Sequence, residues 1–195
     1  MKQRIATLKT KTKETEIRVR VNLDGSGACS ASTGTRFLDH MLAAFSTHSL
    51  IDLHVTSRGD LAHHVIEDTA LALGKAISKA LSTRRGITRF GNACVPMDES
   101  LACVSVDLVR RTWFVQKGVE FKRNYIEDIA REDLVHFFRS FCTSLDCTMH
   151  INVEYGANDH HKAEACFKAL ALSFRQALSR DSAPGRIIPS SKGSM

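Results

Sequence analysis

The sequence is poor in three things. In 195 residues no apolar run approaches the roughly 18 needed to cross a bilayer. The N-terminus, MKQRIATLKTKTKETEIRVRV, alternates charged and apolar residues and lacks the apolar core of a secretory signal. Both absences point to a cytoplasmic protein with no membrane role. CxxC pairs are missing too. The six cysteines, Cys29, Cys94, Cys103, Cys142, Cys147 and Cys166, form no regular framework. They are expected to be reduced thiols packed as small apolar groups. Aromatic residues are only 7% of the chain and few lie among the basic residues. A nucleic-acid groove is therefore not favoured, although the net charge of +6 suits an anionic partner. The basic residues are scattered, and only TLKTKTK and STRR are dense.

What is present is an ordinary hydrophobic fraction, 43%, enough for one substantial domain or two fused halves. The segment IRVRVNLDG sets Ile17, Val19, Val21 and Leu23 against polar neighbours and predicts a half-buried strand ending in an Asp-Gly turn. A short helix is predicted from Phe37, a strand over LIDLHVTS, and a long helix from His63 to about Leu81. The second half repeats this order. Strands are expected at LACVSVDL and TWFVQKGVEF, paired through a tight link at Val109 to Arg111. A helix is expected from Ile126, a strand at TMHINVEYG, and a closing helix from His160 to about Leu178.

The two long helices agree in register. Ile66, Ala70, Leu73, Ile77 and Leu81 answer Ala163, Phe167, Leu170, Phe174 and Leu178, each pair 97 residues apart. The expectation is an α+β fold of internally duplicated half-domains, with two β-sheets packed on a layer of helices and pseudo-two-fold symmetry. The halves run over about 5–85 and 92–180, and residues 181–195 form a C-terminal arm in one catalytic domain.

The repeat carries chemistry. HHVIE at His63 recurs as HHKAE at His160. In a helix, His63 and Glu67 lie one turn apart, about 40° in azimuth, as do His160 and Glu164. An imidazole and a carboxylate so placed can share one metal ion. His64 and His161 lie about 100° round and point elsewhere. A further histidine precedes each motif, His40 by 23 residues and His136 by 24. The duplicated chain thus offers six histidines and two glutamates, a ligand set for two ions. By the symmetry of the repeat, one ion takes His63, Glu67, His136 and His161, and the other takes His160, Glu164, His40 and His64. Nitrogen and oxygen donors without thiolate suit Mn²⁺, with Fe²⁺, Co²⁺ or Zn²⁺ as substitutes. His54 and His150 are expected to face solvent from strands. Two rival readings use the same residues: a di-metal hydrolase of a phosphorylated small molecule, and a basic RNA-binding α+β module whose histidines are incidental.

With these motifs assembled, the chain resembles the imidazoleglycerol-phosphate dehydratase family. The landmarks are TKET at Thr12, TGTRFLDHML at Thr33, HHVIED at His63, RGITRFG at Arg85, PMDESLA at Pro96, VHFFRSF at Val135, NDHHKAE at Asn158 and PSSKG at Pro189. Two departures stand out: GDLAHH is compressed, and VRR replaces a small-residue link, so Arg111 rather than Arg110 is aligned. The resemblance implies a carbon–oxygen lyase of histidine biosynthesis that dehydrates D-erythro-imidazoleglycerol phosphate to imidazole acetol phosphate. It further implies two Mn²⁺ per active site and a 24-subunit homo-oligomer with sites shared between chains. On the same ground Glu14, Glu67, Glu164, His64 and His161 are the catalytic candidates. The substrate candidates are Glu14, His40, His48, His63, Arg89, Arg111, His160, Lys168, Ser190, Ser191 and Lys192. Asp98 and Glu99 are expected to be structural, as caps or as partners of arginines.

Overall fold

The structure is a computed structural model and describes residues 3–180 and 190. The alternation read in IRVRV is strand β2, Thr15–Asn22, with Ile17, Val19 and Val21 buried and Arg18 and Arg20 exposed. It pairs antiparallel with β1, Ile5–Lys11, and with β4, Asp52–Gly59. β3, Cys29–Ser32, runs parallel to β4, and helix α1, Arg36–Ser49, makes the crossover between them. Helix α2, Ala62–Leu81, closes the half.

The second half repeats that plan. β5, Phe90–Met97, and β6, Ser100–Asp107, form a hairpin, and β6 pairs with β10, Thr148–Tyr155. β7, Trp113–Lys117, lies parallel to β10. The sheet orders are β1-β2-β4-β3 and β5-β6-β10-β7. A two-stranded ribbon of β8, Tyr125–Ile126, and β9, Ile129–Ala130, precedes α3, Arg131–Leu145. α4, Asp159–Leu178, is last. α2 packs on β2 and α4 on β5 and β6, while α2 meets α3 and α1 meets α4 across the halves. The helices thus lie between two sheets. All ten apolar positions matched between α2 and α4 are buried.

Three expectations need correction. β7 does not pair with β6, because β10 lies between them in the sheet. The helix expected from Ile126 begins at Arg131, since residues 125–130 form the ribbon. Cys94 and Cys103 are a disulfide rather than free thiols. They stand directly opposite each other in the β5–β6 register, which places both side chains on one face. Cys29, Cys142, Cys147 and Cys166 are free.

The halves are tied by polar groups as well as by the core. Asp128, in the ribbon turn, accepts the first amides of α1, from Arg36 at 2.7 Å and Phe37 at 3.0 Å. Arg84, one of the dense basic residues in STRR, is buried. Its guanidinium donates to the carbonyls of Leu108, Leu145 and Asp146 at 3.0, 2.6 and 2.8 Å. At the other end of the chain, Asp24 accepts from Arg4 at 2.7 Å and Arg180 at 2.8 Å.

Burial alone would push the Asp24 carboxyl up, but the two arginines outweigh it and bring the pKa down from 3.8 to about 2. A depressed folded-state value stabilises the fold above the unfolded-state value and loses that contribution as pH falls through about 2. With solvent screening the effect is about 1 kcal/mol. Asp24→Asn should therefore lower the thermal midpoint near neutrality. The gap to the wild type should close in melts recorded at progressively lower pH.

Candidate metal centre

The two long helices bring the histidines to their N-terminal turns for a local reason. α4 is capped by Asn158, whose side chain accepts from the His160 amide at 2.9 Å. Strand β10 delivers the chain to that cap, as β4 delivers it to α2. One turn on, Glu67 and Glu164 share a face with His63 and His160. The neighbouring helix of the other half supplies the third group, α3 for the first set and α1 for the second.

The first set is His63, Glu67 and His136, and the second is His40, His160 and Glu164. In each, one donor atom per residue lies within 4.8 Å of the others. The Nε2 atoms converge on the carboxylates. His63 and His136 approach Glu67 at 3.8 and 3.6 Å, and His40 and His160 approach Glu164 at 3.5 and 3.3 Å. Such a half-open arrangement of two imidazoles and one carboxylate fits a divalent ion of the Mn²⁺ to Zn²⁺ group. Beside the second set lies a pocket of about 540 Å³ lined by Glu99, Arg123, Glu127, His160 and His161. A larger one, about 660 Å³, lies on the outer face of the first sheet between Lys9, Arg18 and Arg58, away from both sets.

Glu164 is nearly buried, with Lys168 Nζ at 2.8 Å. Burial opposes its charge, but the Lys168 ammonium and His40 hold the carboxyl below its ordinary value. It is thus a carboxylate at neutral pH.

His64 and His161 join neither set. His64 Nδ1 faces Asp60 at 2.8 Å, and His161 Nδ1 faces Glu99 at 2.7 Å. These carboxylates raise both imidazole pKa values, chiefly through the hydrogen bond. Glu14 is exposed and lies 3.9 Å from His64 Nδ1. His48 is two turns past His40 on α1, roughly 12 Å along the axis.

The anion-binding candidates divide. Lys168 is at the second set, its ammonium also 3.3 Å from Met97 Sδ. Arg89 precedes β5, at the end opposite Met97, so the strand alone separates them by roughly 23 Å. It is engaged by Asp107 through two hydrogen bonds of 2.6 and 2.8 Å and lies over the Phe90 ring. Arg111 is exposed at that same end, its carbonyl accepting from Thr148 at 2.9 Å. Ser190 is half-buried, while Ser191 and Lys192 lie outside the described residues.

Sequence reasoning named Glu99 as structural but missed that a group of carboxylates pairs with the histidines. Glu99 pairs with His161 rather than with an arginine, and its other oxygen accepts the amides of Ala157 and Asn158 at 3.1 and 2.8 Å. Asp133 and Glu127 face Nδ1 of His63 and His160 at 2.5 and 3.0 Å. One signal for Glu99 was available. It stands one residue before β6, as Glu14 stands one residue before β2.

The family model described as imidazoleglycerol-phosphate dehydratase matches residues 33–174, which include every member of both sets. The chain belongs to the imidazoleglycerol-phosphate dehydratase family. An imidazoleglycerol-phosphate dehydratase of Zymomonas mobilis is 46% identical over 99% of this chain and 100% of its own length. One of Dehalococcoides mccartyi is 44% identical over 99% and 98%. Two solved dehydratases share the fold. That of Staphylococcus aureus has a TM-score of 0.83 at 29% identity, covering 90% of this chain and 99% of its own. That of Pyrococcus furiosus, in complex with (S)-C348, has a TM-score of 0.83 at 34% identity, covering 96% and 100%. The α+β architecture and the hydro-lyase class therefore hold for this member of the dehydratase family. Among the described residues, no helix is long and apolar enough to cross a membrane.

Proposed function

We infer that this chain catalyses the dehydration of D-erythro-imidazoleglycerol phosphate to imidazole acetol phosphate in histidine biosynthesis. The observation that carries this reading is the pair of converging His, His, Glu sets on equivalent helices of a family member. In the net reaction the hydroxyl beside the ring leaves with the proton of the neighbouring carbinol carbon, as one water. The enol left behind takes a proton on the ring-side carbon and becomes the ketone. The proton removed has no adjacent carbonyl to acidify it, so the imidazole ring must serve as the electron reservoir.

We assign one Mn²⁺ to His63, Glu67 and His136, and a second to His40, His160 and Glu164, with Fe²⁺, Co²⁺ or Zn²⁺ as substitutes. A bound divalent ion would supply Lewis acidity toward the ring nitrogens. To Glu14, exposed beside His64, we assign proton exchange with the substrate's hydroxyl-bearing carbons. Lys168 offers its ammonium to the phosphate, together with Ser190, Ser191 and Lys192.

His64 and His161 turn away from their own sets, and Arg89 and Arg111 stand at the far end of the second sheet. Both facts support a site completed by a neighbouring subunit, and hence a homo-oligomer, which we take to be a cytoplasmic 24-mer. Elemental analysis followed by incubation with imidazoleglycerol phosphate tests the reading. Stoichiometric metal and appearance of the ketone are expected. Release of inorganic phosphate would favour the hydrolase reading, and undiminished turnover after exhaustive chelation would remove the metals from the mechanism.

A further inference from the structure

All four histidines of the two adjacent pairs share one feature. Each turns Nδ1 to a carboxylate: His63 to Asp133 at 2.5 Å, His64 to Asp60 at 2.8 Å, His160 to Glu127 at 3.0 Å and His161 to Glu99 at 2.7 Å. A carboxylate can only accept, so the ring nitrogen facing it carries the hydrogen. The lone pair of the neutral ring is then on Nε2. In His63 and His160 that is the atom aimed at Glu67 and Glu164.

We propose that Asp133 and Glu99, with Asp60 and Glu127, are positioning residues that fix the tautomer and ring direction of these four histidines. This rests on reading the histidine sets as metal centres. The two best-built members are Asp133 and Glu99. Asp133 is buried in the first turn of α3. Glu99 has one oxygen pinned by Ser100 Oγ and two backbone amides at 3.0, 3.1 and 2.8 Å, which leaves the other aimed at His161. Neither carboxylate can swing away without losing those contacts or leaving the core.

The duplication has been used unequally here. Glu14 and Glu99 occupy equivalent places, each just ahead of the second strand of its half. Glu99 is held at 2.7 Å from His161, whereas Glu14 is 3.9 Å from His64 because Asp60 has taken that contact. Asp60 comes from the residues immediately before α2, and its Oδ1 also accepts the Leu61 amide at 2.7 Å. One ancestral position thus serves as an anchor in the second half and stands free for proton transfer in the first.

The test is Mn²⁺ titration of the metal-free full chain, read by the paramagnetic resonance signal of free Mn²⁺. Asp133→Ala and Glu99→Ala should each weaken binding roughly ten- to a hundredfold. Asp133→Asn and Glu99→Gln keep an acceptor oxygen and should recover most of the loss. In a His63→Ala background, Asp133→Ala should add nothing, which a purely structural role would not produce. Circular dichroism of the metal-free variants checks that the fold is held. Affinities within about twofold of wild type in folded Ala variants, or additive losses with His63→Ala, overturn the positioning role alone. A wild-type chain that takes up no Mn²⁺ and forms no ketone sinks the dehydratase reading, and the positioning role with it.

Discussion

Glu164→Gln and Glu67→Gln should each lower bound metal and dehydratase turnover together, by at least about a hundredfold in turnover. The substitution keeps the shape and removes the charge. Each glutamate is the point on which two Nε2 atoms converge, at 3.3 to 3.8 Å. An amide oxygen is a weaker donor to a hard cation, and two neutral imidazoles alone hold such an ion poorly. The two variants should differ in a second respect. Glu164 also accepts from Lys168, which would be left beside a neutral amide, so Glu164→Gln should in addition weaken phosphate recognition and raise KM. Among the described residues Glu67 faces only His63 and His136, with no lysine beside it, so its variant should act on the metal alone. Metal content by elemental analysis and steady-state kinetics on the same preparations check both points. Full metal occupancy with unchanged turnover would refute the ligand assignment.

Gly74→Val should lower stability by about 3 kcal/mol, the upper range for forcing extra atoms into a packed core. Gly74 lies on α2 where α3 crosses it. A Cβ there would be 2.7 Å from the Phe141 carbonyl oxygen and 2.8 Å from the Leu145 nitrogen, and in overlap with Ser144 Oγ. The first two atoms are backbone and cannot rotate aside, so the helices must part. Alanine gains about 1 kcal/mol of helix propensity over glycine, and Gly74→Ala should therefore fall between. At 2–4 °C per kcal/mol for a chain of this size, the valine variant should melt roughly ten degrees lower. α2 and α3 together carry His63, Glu67 and His136, and on α2 Glu67 is about two turns and His63 about three turns from Gly74. The first metal centre should accordingly weaken while the second, on α1 and α4, is spared.

The parts of this architecture that were legible in the sequence are those with strong periodicity. α2 and α4 follow from stripes 97 residues apart, and β2, β4, β6 and β10 from alternation. The outer strands β1, β3 and β5 were not assigned, because edge positions carry charged or small residues and half-exposed faces. The position of β7 was misread because its partner, β10, lies beyond α3 in the chain, and parallel pairing through a crossover leaves no local mark. The Cys94–Cys103 bond became visible only with the hairpin, whose turn at Asp98 and Glu99 sets the two in register. At the site, His-to-Glu spacing of four was enough to foresee the shared face. The pairing of carboxylates with the histidines was not foreseen, since three of the four come from 33 to 70 residues away.

Arg89 precedes the eight-residue strand β5, and Lys168 of α4 reaches Met97 at that strand's other end. A solitary chain therefore holds the guanidinium and the carboxylate–lysine pair out of each other's reach, however well it folds. Under the shared-site reading, two defective alleles in one cell, one damaged at Arg89 and the other at Glu164, would assemble some intact centres from their undamaged ends. Loss of histidine synthesis would then be recessive to the pair, and genetics would register as cooperation what the geometry imposes as distance.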